Sequence, residues 1–419
     1  MNPVFNDYIK FLKDKNINYD LKEGYYWLDS QIIKAYDKQG NIHKVLRLLV
    51  DDNLNISIKT IYKDKPFEIE SWQETITRNT ERLTELESES IKLISDKLLE
   101  YNSYEKVILS SGGKDSTVTV HLSQLADLTM GVIFSNTSLD CADTYKYIKQ
   151  QPNTRIINPE EGFYQWREKI QFVPTRFGRA CCTIFKEGAM IEALDESKKY
   201  LFFMGMRNEE SSTRSNYIDE WKNAKWGVRN WNAILPIRKW TEVDIWLYIL
   251  WRGLDINAKY KHGYARCGCH VACPYYTKST WVLDQYWYPT QYKRWQTILD
   301  KDFTNNHKAI IMNCTKSEYK LKAWNGGVFR KEPTEEVIKE FADENKLDIN
   351  IAEKYFSHVC ESCSKRIKSK EVLAMNMKFF GRNTTKFYCK KDLMKLLEMT
   401  KEKWIENVNS FKDQGCNLF

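Results

Sequence analysis

The sequence predicts an α/β fold: a twisted parallel sheet with helices on both faces, a small α+β module before it and a small cysteine-bearing domain after it. Three observations predict this. Apolar runs at 106–110, 130–135, 154–157 and 201–206 alternate with helical stretches at 116–127, 141–150 and 185–198, the βαβ rhythm of a parallel sheet. A glycine turn, Ser110-Ser111-Gly112-Gly113-Lys114-Asp115-Ser116, joins the first of these runs to the first of these helices. Cys360, Cys363, Cys389 and Cys416 gather near the C-terminus.

Each element has its own signal. Residues 1–70 form the α+β module: Ile32-Ile33-Lys34-Ala35-Tyr36, a turn through Gly40, and Val45 to Val50 read as a hairpin, with Asn55 to Ile61 as a third strand. No chemistry is apparent there. From Ser71 to 102 the chain is rich in Glu, Leu, Lys and Ile without Pro or Gly, which predicts a long helix. Ser71 and Glu74 have capping-box spacing. Residues 71–280 are expected to form the central domain, ending with an aromatic-rich helix from Thr241 to Trp251 and a cysteine loop. Residues 281–354 read as helical, and 355–419 as a basic tail domain.

A chain of 419 residues suggests two or three domains, and a hydrophobic fraction of 42% is ample for a core. No apolar stretch approaches the roughly 18 residues of a membrane span, and the N-terminus lacks a signal-peptide pattern. A cytoplasmic protein without membrane association is the expectation. Eleven cysteines, an odd number, argue against a complete disulfide framework and for metal or redox chemistry. The net charge of +8 is mild over the whole chain. Between Lys365 and Lys395, however, ten Lys or Arg face two acids, so that segment alone carries +8. Such a face suits a polyanion such as nucleic acid; its ordinary alternative is a solvated basic surface.

The glycine turn carries the clearest chemistry. Adjacent Gly112 and Gly113 let backbone approach a ligand closely. Amides there and at the helix start converge on one spot, which favours a phosphate group. Lys114 adds a positive charge, and Asp115 suits Mg²⁺ on phosphate oxygens. The pattern is not G-x-x-x-x-G-K-[ST], because Asp115 follows Lys114, and G-x-G-x-x-G is absent. It resembles the S-G-G-K-D-S loop of the PP-loop ATP pyrophosphatases, which implies a Rossmann-like fold and ATP·Mg²⁺.

Three further motifs follow in order: Arg179-Ala180-Cys181-Cys182 through Lys186, Gly205-Met206-Arg207-Asn208-Glu209-Glu210 through Arg214, and Pro236-Ile237-Arg238 through Trp246. With the loop they resemble the phosphoadenosine-phosphosulfate (PAPS) reductase family of that superfamily over roughly two fifths of the chain. Arginine forks at Arg207 and Arg214 suit phosphate or sulfate oxygens, and Glu210 can orient one of them. The resemblance implies that this loop, opened by Gly205, faces the nucleotide. It also implies that Asn136 and Thr137 lie near the adenine or ribose and that Lys186 approaches the anionic end of the substrate. Cys181-Cys182 with the later Cys269 and Cys273 resembles the subset of this family that holds a [4Fe–4S] cluster. The later pair is C-x-x-x-C rather than C-x-x-C, and Cys267 is an extra candidate. Zinc and packed thiols are the alternatives.

In the tail, the Cys360-x-x-Cys363 knuckle with Cys389 and Cys416 predicts a structural Zn²⁺ site. Sulfonucleotide reductases resemble this chain and carry a nucleophilic cysteine in a Glu-Cys-Gly context near the C-terminus. Cys416 stands instead in Gln-Gly-Cys-Asn. Those reductases also have an altered phosphate loop, whereas this chain keeps the full one. The expected activity is therefore ATP-dependent adenylation of an acceptor with pyrophosphate release, Lys114 and the loop amides stabilising the leaving group. Sulfur delivery by a cysteine desulfurase or similar donor would follow, and nucleic acid is a candidate acceptor. This resembles, most closely in kind, the ATP pyrophosphatase of DNA phosphorothioation systems. The alternatives are a PAPS or adenylyl-sulfate reductase, a sulfate adenylyltransferase, and a non-catalytic nucleotide- and nucleic-acid-binding subunit.

Overall fold

The computed structural model describes the chain except for residues 62–66, 213, 222–230, 307, 326–331, 382, 383, 385, 415, 417 and 419. Of the motif residues, Thr213, Arg382, Gly415 and Asn417 lie outside the described residues. The chain divides into two compact units, Met1–Glu160 with Ile184–His270, and Glu161–Thr183 with Val271–Phe419.

The first unit holds two sheets. β1 (Asn2–Pro3), β2 (Tyr26–Asp29), β3 (Ile32–Tyr36), β4 (Ile42–Val50) and β5 (Ile56–Thr60) form an antiparallel sheet in sequential order, preceded in part by α1 (Asn6–Asp14). The expected hairpin and third strand are β3, β4 and β5. This small sheet belongs to the same unit as the parallel one. Trp246 donates its indole N–H to Asn2 at 2.7 Å, and Phe5 packs edge-on against Trp72 and Trp246.

The long helix α2 (Trp72–Glu100) begins where its cap predicts: Ser71 accepts the Glu74 amide at 3.2 Å, and the Glu74 carboxylate takes the Ser71 amide at 2.8 Å. Then come β6 (Glu105–Leu109), α3 (Lys114–Ala126), β7 (Gly131–Ser135), α4 (Ala142–Gln150), β8 (Thr154–Ile157), β9 (Tyr200–Met204), β10 (Glu220–Trp221) and β11 (Trp231–Ile234). The second sheet has the order β10-β11-β9-β6-β7-β8. All its pairs are parallel except β10 with β11. Alternate residues feed opposite faces. Ile108, Val132, Leu201 and Phe203 join a core with α2, α3 and the helix Glu242–Arg252; Val107, Ile133, Tyr200 and Phe202 join one with Ala189, Met190 and Leu194. Both faces are apolar, as a covered parallel sheet requires.

The helix expected over 185–198 takes another form. A π-helical segment, Cys182–Gly188, runs into a short helix, Ala189–Ala193, which stops before Leu194. β10 and β11 have no counterpart in the sequence reading.

The second unit is helical. Phe163 and Trp324 each pack on Trp295, and Trp281 on Trp324. Its last part carries the helices Lys370–Phe380, Lys390–Leu396 and Lys401–Asp413. No helix among the described residues is long and apolar enough to cross a membrane.

Candidate active site

From β6 the chain proceeds outward through β7 to β8, and from β9 it proceeds the other way to β11. β6 and β9 are neighbours, so the chain reverses direction between them. The crevice beyond their carboxyl ends is the topological switch point where open α/β sheets bind ligands. The loop after β6 and the loop after β9 both lie there.

The first loop is wound tightly. Gly112 has φ +70°, in the left-handed region, and Gly113 precedes α3 at its N-cap. The loop amides point inward onto hydroxyls: Ser116 Oγ takes the amides of Gly113 at 3.1 Å and Ser111 at 3.3 Å, Ser110 Oγ takes that of Gly112 at 3.3 Å, and the Tyr260 hydroxyl takes that of Lys114 at 2.9 Å. These same amides are the donors that a phosphate group would use in place of the hydroxyls. Asn257, fully buried, supports the loop from outside by donating to the Gly112 carbonyl at 3.3 Å and to Thr144 at 2.9 Å.

Lys114, Asp115 and Arg207 form one charged group across the switch point. Arg207 Nε donates to Asp115 at 2.5 Å, Lys114 Nζ to the other Asp115 oxygen at 3.1 Å, and Lys114 faces Glu242 at 3.4 Å. Burial pushes Asp115 up, but Lys114 and Arg207 outweigh it and hold the carboxyl below its ordinary value. Arg207 is 3% exposed and also binds Glu209 at 2.7 Å. Its guanidinium therefore serves Asp115 rather than standing free towards a phosphate. Arg214 is ion-paired to Glu210, whose carboxylate also takes the Arg207 amide at 2.9 Å. Gly205 is there for close approach: a Cβ would lie 2.8 Å from the Asp115 carbonyl and from Thr119 Oγ1.

Beyond β7, Asn136 accepts from Tyr145 at 2.6 Å and donates to Asn158 at 2.8 Å, while Thr137 is buried on Asp140 at 2.7 Å. Ser135 donates to the Phe185 carbonyl at 3.0 Å, so exposed Lys186 follows a backbone anchored at the end of β7.

The central cysteines divide between the units: Cys267 and Cys269 with the first, Cys181, Cys182 and Cys273 with the second. All are free of disulfides. Cys267 packs on the first unit's core and bonds to Tyr260; burial pushes its thiol up to about 12. His270 follows in the same loop, buried and pushed down to about 2.

In the second unit, Cys360, Cys363, Cys389 and Asp392 bring one ligand atom each to within 4.8 Å of one another, the one such group of three or more among the described residues. These four can hold a metal. Cys416, expected as the fourth ligand, lies outside the group, and Asp392 takes that place. Sequence reasoning also missed Tyr260 and Asn257. Asp392 had a signal, since Cys389-x-x-Asp392 repeats the spacing of Cys360-x-x-Cys363. Tyr260 and Asn257 had none.

Fold and site together define a PP-loop nucleotide-binding domain. Residues 105–274 match the family described as phosphoadenosine phosphosulfate reductase domain, and the chain carries such a domain. An uncharacterized protein of Methanocaldococcus jannaschii is 27% identical over 69% of this chain and 71% of its own length. Sulfate adenylyltransferase subunit 2 of Sulfurimonas denitrificans is 29% identical over 44% of this chain and 68% of its own. A PAPS reductase structure from Candida auris aligns over 47% of this chain and 95% of its own, with 16% identity and a TM-score of 0.36.

Proposed function

We propose that the protein adenylates an acceptor at the expense of ATP and supports transfer of sulfur to it, with nucleic acid as the acceptor. The observation that carries this is the loop after β6, where four successive amides rest on the hydroxyls of Ser110, Ser116 and Tyr260 and where Lys114 joins the Asp115–Arg207 pair. The triphosphate of ATP·Mg²⁺ lies against that loop. An acceptor oxygen attacks the α-phosphorus, the bond to the bridging oxygen breaks, and pyrophosphate leaves with its new charge on the amides and Lys114. Asp115, kept ionised by its two cations, is the group to position Mg²⁺. Arg207 holds Asp115 in place. Sulfur from a donor protein's persulfide then attacks the adenylated acceptor; the bond from sulfur to acceptor forms as the acceptor–oxygen bond breaks, AMP leaves, and an external thiol reductant cleaves the remaining S–S bond to the donor.

Cysteine thiolates are the donors of iron–sulfur clusters, so adjacent Cys181 and Cys182 keep the chemistry that a [4Fe–4S] cluster would use, and such a cluster would supply a sulfur-handling or redox centre. The tail group would hold structural Zn²⁺. Exposed Lys386, Lys391 and Lys395 support a polyanion at the tail.

A second reading has its own support, since a relative is named sulfate adenylyltransferase subunit 2. There the acceptor is sulfate, and pyrophosphate release is common to both readings. The deciding assay measures pyrophosphate from ATP with purified protein alone, with sulfate, with DNA and with tRNA. Release that requires nucleic acid and disappears in Lys114→Ala supports the first reading; release that requires sulfate replaces it with the second. Thiol-dependent reduction of adenylyl sulfate or PAPS without ATP turnover would make the protein a reductase. Absence of all three activities would leave a binding subunit and overturn the proposed catalysis.

A further inference from the structure

We infer that the tail metal centre is a Cys₃Asp site, with Asp392 as its fourth ligand and Cys416 outside it. This rests on reading the tail group as a metal centre. The sequence offers four tail cysteines, and a four-thiolate site is the natural expectation from it. The geometry points elsewhere.

Distances come first. Cys363 Sγ and Cys389 Sγ are 3.8 Å apart, and Asp392 Oδ2 lies 3.1 Å from both Cys360 Sγ and Cys389 Sγ. Zinc–thiolate bonds of about 2.3 Å at tetrahedral angles separate two sulfurs by about 3.8 Å, and a carboxylate bond of about 2.0 Å separates oxygen from sulfur by about 3.5 Å. The sulfur pair already stands at the required separation. The carboxylate needs only a few tenths of an ångström. A [4Fe–4S] cube does not suit this group, because each of its ligands binds a different iron and the ligands stand further apart. Three thiolates also disfavour Mg²⁺ and Ca²⁺, which take oxygen.

Scaffolding comes second. The Cys360–Cys363 turn is closed by Ser364 N–H on the Cys360 carbonyl and by Cys360 N–H on the Lys365 carbonyl, each 2.9 Å, with Ser364 at φ +54°. Cys389 is the N-cap of the helix Lys390–Leu396, and Asp392 sits in that helix's first turn. Three residues on, the helical repeat brings Asp392 back over its own cap, so Cys389 and Asp392 converge as Cys360 and Cys363 do. The two halves are tied by the Cys360–Phe387 bridge, by Glu361 N–H on the Phe387 carbonyl at 2.9 Å, and by Asn376, which donates to the Tyr388 carbonyl at 2.9 Å and accepts the Tyr388 amide at 2.7 Å. These bonds fix the backbone on both sides of the ligands. Cys416 instead follows the end of the helix Lys401–Asp413, where its amide bonds the Phe411 carbonyl at 2.8 Å.

The test uses the full-length protein, with zinc content measured after gel filtration, chelator competition, and the absorption spectrum after Co²⁺ exchange. Cys389→Ser should lose one zinc equivalent relative to the parent. Asp392→Ala should weaken that site by about tenfold or more, since even partners of metal ligands are worth 10–100-fold. Cys416→Ser should leave content and affinity unchanged. Asp392→Cys should retain the metal and give a stronger Co²⁺–thiolate charge-transfer band, a readout that a merely misfolded tail cannot produce. Loss of the equivalent in Cys416→Ser with retention in Asp392→Ala would overturn the ligand assignment while leaving a metal centre in place. Equal zinc content in the parent and in Cys389→Ser would overturn the metal centre itself.

Discussion

At the scale of single residues, the phosphate loop is held ready by groups that ATP would replace. Tyr260 is 2% exposed, and its hydroxyl accepts the Lys114 amide, the first amide of α3. Removing that hydroxyl strands a buried donor, which costs about 1–3 kcal/mol. A phosphate oxygen at the loop would give the donor a new partner. Tyr260→Phe should therefore melt below the parent without nucleotide, and saturating ATP·Mg²⁺ should raise its melting temperature by more than it raises the parent's. A smaller nucleotide-induced shift in the variant, in paired thermal melts, would mean instead that the hydroxyl itself binds ATP. This residue was illegible in the sequence because its role depends on a contact with a loop 146 residues away. Lys114 and Asp115 were legible because their neighbours in the chain define them. Arg207 was half legible: its place beyond β9 followed from the strand before it, but its engagement with Asp115 depended on which strands are neighbours.

At the scale of elements, caps decide where helices start and one of them also joins two helices. Asp244 takes the Thr241 amide at 2.8 Å and the Thr241 hydroxyl at 2.7 Å, and both its oxygens receive Arg82 of α2 at 2.8 Å. Asp244 is buried, while Arg82 is about half exposed. Asp244→Ala loses the carboxylate half of the capping box, about 1 kcal/mol, and the charged hydrogen bonds to Arg82, about 1.5–3 kcal/mol. Arg82→Met loses the charged hydrogen bonds and leaves the buried Asp244 carboxylate without its cation, whereas Asp244→Ala leaves a half-exposed arginine that water can solvate. Ser71→Ala loses only a cap. Urea titration should show both Asp244→Ala and Arg82→Met losing more than Ser71→Ala; an Arg82→Met loss no larger than that of Ser71→Ala would show that the ion pair contributes nothing to joining the two helices. Elements with local signals were legible: α2 from its capping box and composition, β6 to β9 from their apolar runs. β11 was not. It is four residues, Trp231–Ile234, all buried, and its strand character comes from pairing with β9. The helix expected over 185–198 failed for a similar reason, since apolar spacing does not distinguish a π-helical segment from an α-helix.

At the scale of the whole molecule, chemistry divides between the units: the phosphate loop in the first, the Cys₃Asp group and the basic segment in the second. The charge concentration was legible by counting; the fourth metal position had only the Cys389-x-x-Asp392 spacing as its signal, which is easily passed over because an aspartate in the first turn of a basic helix reads as an ordinary N-terminal acid. The same charge permits a test of the nucleic-acid partner that needs no knowledge of the reaction. Lys386, Lys391 and Lys395 are exposed and are not members of the ligand set. If they contact phosphates, each releases counterions on binding, and the slope of log affinity against log salt is about −0.9 per contact for duplex DNA. Substituting all three by Ala should flatten that slope by about two to three units, in fluorescence anisotropy between low and moderate salt, while the melting-temperature gain on ATP·Mg²⁺ stays unchanged. An unaltered slope would assign these lysines to a solvated face, and the acceptor would have to be sought among small anions, with sulfate first.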